Sequence, residues 1–353
     1  MELVSPVVNE IIELSTRYWE LQPAEKPVAA EATRRQDEIS PLAGRLGWFD
    51  LPDILLESAA RLYSGYPFMG IGHRLKFFLR ALTTPRLTLD WFALWQSPQL
   101  VPLLESHPRV LTKLQRPYLY NGLRAKGRCE ILRQHYVFIL EFFPPEAIRR
   151  IFTHEGVKLV EIPEMEVGRF SVRLFYGNQF EKEGELSLVI YDDDREGLVF
   201  ALSFCVTSDQ SGRRIIFIGG LQGCQLSKNG ERVVAMTRGM HGLRPKALLL
   251  YTLQQLAVLW NIRCLRAVSN DARKIRLNRR NIQADYDKFW LDSGGSPESD
   301  GTFSLPAVFT PRDIGAIKPK KRTMYRRRYE MLAGLNEQIM TQLSRLGCLG
   351  PIK

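Results

Sequence analysis

Residues 213–271 read RRIIFIGGLQGCQ (213–225), LSKNGERVVAMT (226–237) and RGMHGLRPKALLLYTLQQLAVLWNIRCLRAVSND (238–271). The apolar, β-branched run that opens this stretch ends in two glycine-bearing turns, Gly219-Gly220 and Gly223. A polar loop follows, then a helix opening at Arg244-Pro245-Lys246, then a second short apolar run from Ile262 to Ser269. Strand, loop, helix and strand in that order predict a β-α-β unit. Pro245 suits the first helical turn, where a missing N–H costs nothing. Free backbone N–H groups and the positive end of the helix dipole favour an anion there, and Arg244 and Lys246 add charge. An anion pocket is therefore the leading site expectation.

Upstream, VKLVEIPEM, GRFSVRLFYGN, GELSLVIYDDD and GLVFALSFCVTS read as strands, with turns at 192–197 and 208–212. These give three or four antiparallel strands before the β-α-β step. From Leu51 to about Pro145 the periodicity is helical, in segments joined by proline-bearing turns, and the dense aromatics there suit core packing. NGLRAKGRCEILRQHYVFILEFF predicts one long helix ended by Pro144-Pro145, with a shorter one starting at that point. A short helix is expected at 7–20, and DARKIRLNRRNIQADYDKFWLDSGG (271–295) reads as a basic helix closed by Gly294-Gly295. The expected class is α+β: an N-terminal helical region followed by a mixed, mostly antiparallel sheet with a β-α-β step. The expected organisation is an N-terminal helix and linker (1–50), a helical region (51–155), a mixed α/β core domain (156–312) and a basic C-terminal tail and helix (313–353).

The chain has 353 residues, 45% hydrophobic and 25% charged, the balance of a folded globular protein. No apolar run reaches the roughly 18 residues of a membrane span, and the N-terminus lacks the basic start of a secretory leader. A cytoplasmic protein is expected, with peripheral attachment at the inner membrane as a further expectation. The five cysteines (129, 205, 224, 264 and 348) form no C-x-x-C pair and no Cys/His cluster, so no metal is indicated. Asp192, Asp193 and Asp194 fit a turn better than a cation loop.

Within the candidate pocket, Gly219, Gly220, Gln222 and Gly223 let backbone approach a ligand, while Arg244 and Lys246 face its phosphate oxygens. An ordinary helix start with tight turns is the plainer explanation. Neither G-x-x-x-x-G-K-[ST] nor G-x-G-x-x-G occurs, which argues against a P-loop hydrolase and a Rossmann dinucleotide fold. His241 adjoins the pocket as a candidate base, and Tyr286 is a candidate proton donor to a leaving group. Asp285 and Asp287 lie beside Tyr286. His135, in an aromatic helix, suits a core role.

The element order resembles the GCN5-related N-acetyltransferase fold. That resemblance implies that Leu221 to Lys246 holds the phosphates of an acyl-CoA, beside a diverging strand at Cys264 to Ser269. The signature that family carries before its helix is replaced here by His241-Gly242-Leu243-Arg244-Pro245-Lys246. At the level of motifs, IGGLQG (218–223), HGLRPKALL (241–249), AVSN (267–270), YDKFW (286–290) and the Leu305-Pro306 pair are similar to the VirK/YbjX family of proteobacterial proteins. RVLTKLQRPYLYNGL and HYVFIL extend the likeness upstream, so that it covers about residues 50–330. The resemblance implies a link to virulence and to tolerance of antimicrobial peptides, and carries over no catalytic residue.

The formal charge of +11 is uneven: between Asn261 and Glu330, sixteen Lys and Arg stand against eight Asp and Glu. The run Lys318-Pro319-Lys320-Lys321-Arg322 continues into Arg326-Arg327-Arg328. Such an excess attracts a phosphate-bearing small molecule, an anionic membrane surface or nucleic acid, or it is a solubilising face. Two functional expectations follow. One is an acyltransferase using an acyl-CoA-type donor. The other is a non-enzymatic accessory protein that binds anionic membrane or nucleic acid, without sequence specificity, through its basic C-terminal third. Oligomeric state is not read from the sequence.

Overall fold

A computed structural model describes residues 49–62, 70–224, 230–272 and 285–349. Its helices before the sheet are α1 (Leu51–Leu62), α2 (Gly70–Thr83), α3 (Pro85–Leu94), α4 (Val101–Ser106), α5 (Ala125–Phe142) and α6 (Pro145–Ile151). The strands are β1 (Val157–Met165), β2 (Gly168–Phe175), β3 (Leu186–Asp192), β4 (Gly197–Ser208), β5 (Arg214–Gly223), β6 (Leu265–Val268), β7 (Ser296–Pro297) and β8 (Thr302–Leu305). Later helices are α7 (Gly230–Gly239), α8 (Pro245–Leu259), α9 (Tyr286–Asp292) and α10 (Pro319–Arg345).

The strands form one sheet in the order β1-β2-β3-β4-β5-β6-β8-β7. Of the paired strands, β5 and β6 run parallel and the rest antiparallel. The α+β class and the mostly antiparallel sheet therefore stand as the residue pattern predicts. β3 and β4 are buried over nearly their whole length, which explains why they read as continuous apolar runs rather than alternating ones. One face joins a core that runs from Leu51 through Trp91, Tyr136, Leu202 and Trp290 to Cys348. Val189 and Ala201 on the other face pack with Phe175 and Phe180. The helices before Val157 thus share one core with the sheet.

A charged contact is sealed where those helices meet the strands. Lys113, in a 3-10 helix at Pro108–Gln115, pairs with Glu185 at 2.6 Å, with side chains 2% and 0% exposed. The second Glu185 oxygen accepts from the Tyr136 hydroxyl at 2.7 Å, and the Lys113 ammonium lies 4.9 Å from the centre of the Tyr176 ring. Nearby, His135 accepts the Val206 N–H on Nδ1.

The sequence expectations need four revisions. The bridge between Gly223 and Arg244 contains α7, held by a buried Arg232–Asp192 ion pair and by Met236 in the core. Within the helical region, the stretch 98–120 resolves into the short α4 and a 3-10 helix at Pro108–Gln115, since His107 adopts φ −132°, ψ 54° between them. The basic run at 318–328 is not a tail leading to a helix; from Pro319 it is the helix. Finally, β6 is shorter than the apolar run from 262 to 269. The expected helix at 7–20 lies outside the described residues, and so does much of the basic helix expected at 271–295; its described part is α9.

α10 packs against β1, the strand at one end of the sheet, and against α8. Its Gln338 side chain accepts the Glu161 N–H at 2.8 Å and donates back to the Glu161 carbonyl at 3.3 Å.

Candidate functional site

The β-α-β step places its parts at one end of the sheet. β5 runs beside β4 with Gly223 opposite Phe200, so its carboxyl end lies at the amino end of β4. The register jumps from Ser203↔Gly220 to Phe204↔Ile218, which leaves Gly219 as an extra, bulged residue. Pairing with β6 stops at Ile218↔Ala267, while β5 continues to Gly223 against β4. The parallel pair therefore opens toward its carboxyl end, the usual side for ligands in parallel sheets.

Tyr286 stands in this opening. It is 1% exposed, and its hydroxyl accepts the Leu221 N–H at 2.8 Å, a donor that β6 leaves unpaired. Its position is fixed by Asn270, just after β6. Asn270 Oδ1 accepts the Tyr286 N–H, Asn270 Nδ2 donates to Asp285, and the Asn270 N–H donates to Asp287. Asp285 also caps α9 by accepting the Lys288 N–H, and that bond, then Asn270, holds its carboxyl below the ordinary value. Trp290 Nε1 donates to the Val268 carbonyl. The AVSN and YDKFW motifs are thus two halves of one clasp. Asp285 and Asp287 orient Tyr286 within it.

The glycine pair meets the chain itself. A side chain on Gly219 would start 2.1 Å from the Glu183 carbonyl oxygen and 2.7 Å from Leu119; one on Gly220 would start 2.0 Å from Glu183 Oε2. Gln222 Nε2 donates to the same carboxylate at 3.1 Å. Leu119 is tied across the strand by its N–H to the Lys182 carbonyl. Phosphate recognition by Gly219, Gly220 and Gln222 does not fit this geometry, because a carboxylate occupies the approach and would repel the anion. Glu183 is the functional candidate that sequence reasoning missed. Its segment, EKEGELS, has no period or motif that would mark it.

A second, cationic group lies at the start of α8, where the turn before it meets Met165 of β1 and Arg328 of α10. Arg244 is the exposed residue just before the helix, Lys246 is half-buried, and Gly223 is exposed at the strand end. His241 and Gly242 both adopt positive φ, 51° and 76°, in the turn from α7 to α8. The His241 carbonyl accepts two bonds from Arg328 of α10, whose guanidinium stacks 4.2 Å from the Tyr325 ring centre. Any side chain at Gly242 would meet Arg328 and Met324. Partial burial, then Arg327 and Arg328, lower the His241 pKa, so its imidazole is held neutral. The structure thus assembles two groups. Gly219, Gly220 and Gln222 gather with Glu183 and Tyr286 along β5, and His241, Arg244 and Lys246 gather with Arg327 and Arg328 at the helix start.

The three turn aspartates are each bound to an arginine: Asp192 to Arg232, Asp193 to Arg173 and Asp194 to Arg169. Among the described residues no helix is long and apolar enough to cross a membrane.

Comparison with known proteins places the chain. An Escherichia coli (strain K12) protein named uncharacterized protein YbjX is 33% identical over 274 residues, 76% of this chain and 82% of the relative. A Haemophilus influenzae uncharacterized protein is 26% identical over 252 residues, 70% of this chain and 81% of the relative. A Mannheimia haemolytica protein named membrane protein LapB is 26% identical over 164 residues, 46% of this chain and 66% of the relative. The family model described as protein of unknown function (DUF535) matches residues 70–341. Together with the IGGLQG, HGLRPKALL and YDKFW motifs, these matches show that the chain belongs to this DUF535 family, the VirK/YbjX family.

Proposed function

We propose that this protein is an acyltransferase that takes a phosphate-bearing acyl donor of the acyl-CoA type at the carboxyl end of β5 and the start of α8. The observation that supports this reading most is the opening of the parallel pair beyond Ile218, with a phenol inside it. This is the arrangement that the N-acetyltransferase resemblance implies. In this reading the donor's phosphates lie against Arg244 and Lys246 at the helix start, with Arg327 acting on the neighbouring His241. The bulged glycines do not fit phosphate, and in this reading they let Glu183 reach the opening. Bound there, the donor supplies an activated carbonyl carbon. Tyr286 holds a proton at its hydroxyl, and the Leu221 N–H bonded to that oxygen favours its release. His241, kept neutral, and Glu183 are the two groups suited to accept a proton from an amine or hydroxyl acceptor. An acceptor in the cell envelope would join the activity to virulence and to tolerance of antimicrobial peptides.

Calorimetric titration with a long-chain acyl-CoA, free CoA and a polyanion tests the donor site. Saturable binding is expected with acyl-CoA, weakened about tenfold or more by Arg244→Ala/Lys246→Ala, since each charge-assisted contact contributes roughly 1.5–3 kcal/mol. No saturable acyl-CoA binding, or equal binding of the polyanion, refutes the reading.

A second reading rests on the exposed cations of α10 and on the name of the Mannheimia relative. Lys320, Lys321, Arg326 and Arg327 are exposed on the first turns of the helix, with Lys318 exposed just before it. In this reading a non-enzymatic accessory protein attaches to anionic membrane or nucleic acid through that face. Neutralising those cations would then abolish binding and flatten its salt dependence, and leave acyl-CoA without effect.

A further inference from the structure

α2, with the sequence GIGHRLKFFLRALT, has two apolar stripes. Phe77 and Ala81 face the core, at 2% and 0% exposure. Ile71, Leu75, Leu79 and Leu82 are exposed by 66%, 57%, 56% and 56%. Their spacing sets all four on one face, since residues three, four, eight and eleven apart nearly align on a helix. A single exposed leucine is ordinary. Here four of the ten exposed large apolar side chains among the described residues share one 14-residue helix, which makes a continuous patch.

The flank of that patch is cationic. His73, Lys76 and Arg80 are exposed on the next face, and the helix contains no Asp or Glu. Between this flank and the 3-10 helix lies a cleft of about 230 Å³, lined by His73, Lys76, Phe77, Arg80, Thr112, Gln115 and Arg116. Hydroxyl, amide, imidazole and cationic groups line it beside the Phe77 ring, and among the described residues no carboxylate does. Gln115 Nε2 donates to the Phe77 carbonyl, and Arg116 pairs with Glu181 at 2.7 Å.

We propose that α2 is an interfacial membrane anchor. Its exposed stripe would lie at the acyl boundary of an anionic phospholipid bilayer, with a headgroup phosphate in the cleft formed by Lys76, Arg80 and Arg116. Charge complementarity selects the bilayer as occupant: every charge on the helix is positive, and the aliphatic face is bordered by long cationic side chains that reach headgroup level. At 14 residues α2 is too short to span a bilayer, so it lies along the surface. This anchor is separate from the acyl-donor site and from the cations of α10.

Co-sedimentation of the full chain with phosphatidylcholine vesicles, with and without phosphatidylglycerol in equal part, tests the anchor. Binding is expected only to the phosphatidylglycerol vesicles. Leu75→Asp/Leu79→Asp is expected to abolish it. Lys76→Ala/Arg80→Ala should weaken it by about fivefold for each charge removed, and Lys320→Ala/Lys321→Ala/Arg326→Ala/Arg327→Ala should leave most of it. All the substituted side chains are exposed, and unchanged melting temperatures confirm folding. The proposal is overturned if the wild type stays in the supernatant with both vesicle types. It is also overturned if the α10 variant loses binding and the α2 variants keep it. Light scattering that shows a dimer dissolved by Leu75→Asp/Leu79→Asp, with no vesicle binding, would assign the stripe to a second copy of this chain.

Discussion

Replacing Lys113 by methionine removes the cation from a carboxylate that has no route to water. Glu185 is fully buried, Lys113 lies 2.6 Å from one oxygen, and Tyr136 donates to the other. In Lys113→Met the tyrosine bond remains, but a buried negative charge loses its counterion, which typically costs about 3–5 kcal/mol. Against a total stability of about 5–15 kcal/mol for a folded domain, this is a large fraction. The double change Lys113→Met/Glu185→Leu removes both charges and leaves only the Tyr136 hydroxyl without its acceptor, at about 1–3 kcal/mol. The double variant is therefore expected to be more stable than Lys113→Met alone, a coupling of opposite sign to additivity. Urea titration followed by tryptophan fluorescence measures this, because the midpoint moves while the slope is preserved if the unfolded surface is unchanged. A Lys113→Met protein within about 1 kcal/mol of wild type, or a double variant equal to the sum of the singles, would refute the argument.

Tyr286→Phe leaves the buried Leu221 N–H without its acceptor, and a loss of about 1–3 kcal/mol in urea titration is expected. His135 has its pKa lowered by burial, then by Lys113, to about 3. The unfolded chain then takes up the proton first as acid is added, so stability is full above the ordinary histidine value. It falls between about pH 6.5 and pH 3 at up to roughly 1.4 kcal/mol per pH unit. His135→Gln keeps an acceptor for Val206 and should flatten that part of a stability profile; an unchanged slope would contradict the assignment. Burial pushes the thiols of Cys129, Cys224 and Cys348 up to about 12, with Glu183 adding to the effect at Cys224. A thiol-disulfide reagent at pH 8 should therefore label them slowly in the folded protein and rapidly after denaturation, and fast native labelling of Cys224 would count against its placement.

The strands were readable because both kinds of signal agreed: continuous apolar runs, and turn residues where the chain reverses. Glu196 at φ 51° and Gly212 at φ 80° sit in those turns. α7 was not readable, because GERVVAMTRG has glycine at each end and its helix is secured by an ion pair to Asp192, forty residues upstream. Local propensity carries no trace of such a contact. Tyr286 and the glycines could be chosen from the sequence, as residue types suited to proton transfer and close approach. Glu183 could not, since it reaches Gly219 and Gly220 only after β3 and β4 have paired and brought the preceding loop over β5. The exposed stripe of α2 was hidden in the other direction. Its apolar spacing is what a buried helix would also have, and only the packed structure separates the face that Phe77 fills from the face that no described residue is seen to cover.

Gln338 carries a consequence for how the chain matures. β1 ends the sheet, and the backbone of Glu161 is closed there by a side chain 177 residues downstream. During synthesis the sheet can pair internally long before α10 leaves the ribosome, and through that interval the β1 edge is an open template for another nascent strand. The last helix is therefore an edge guard delivered late. Truncation before α10 is expected to yield aggregates even where every strand is present, and slow elongation near the 3′ end of the message would lengthen the period of risk.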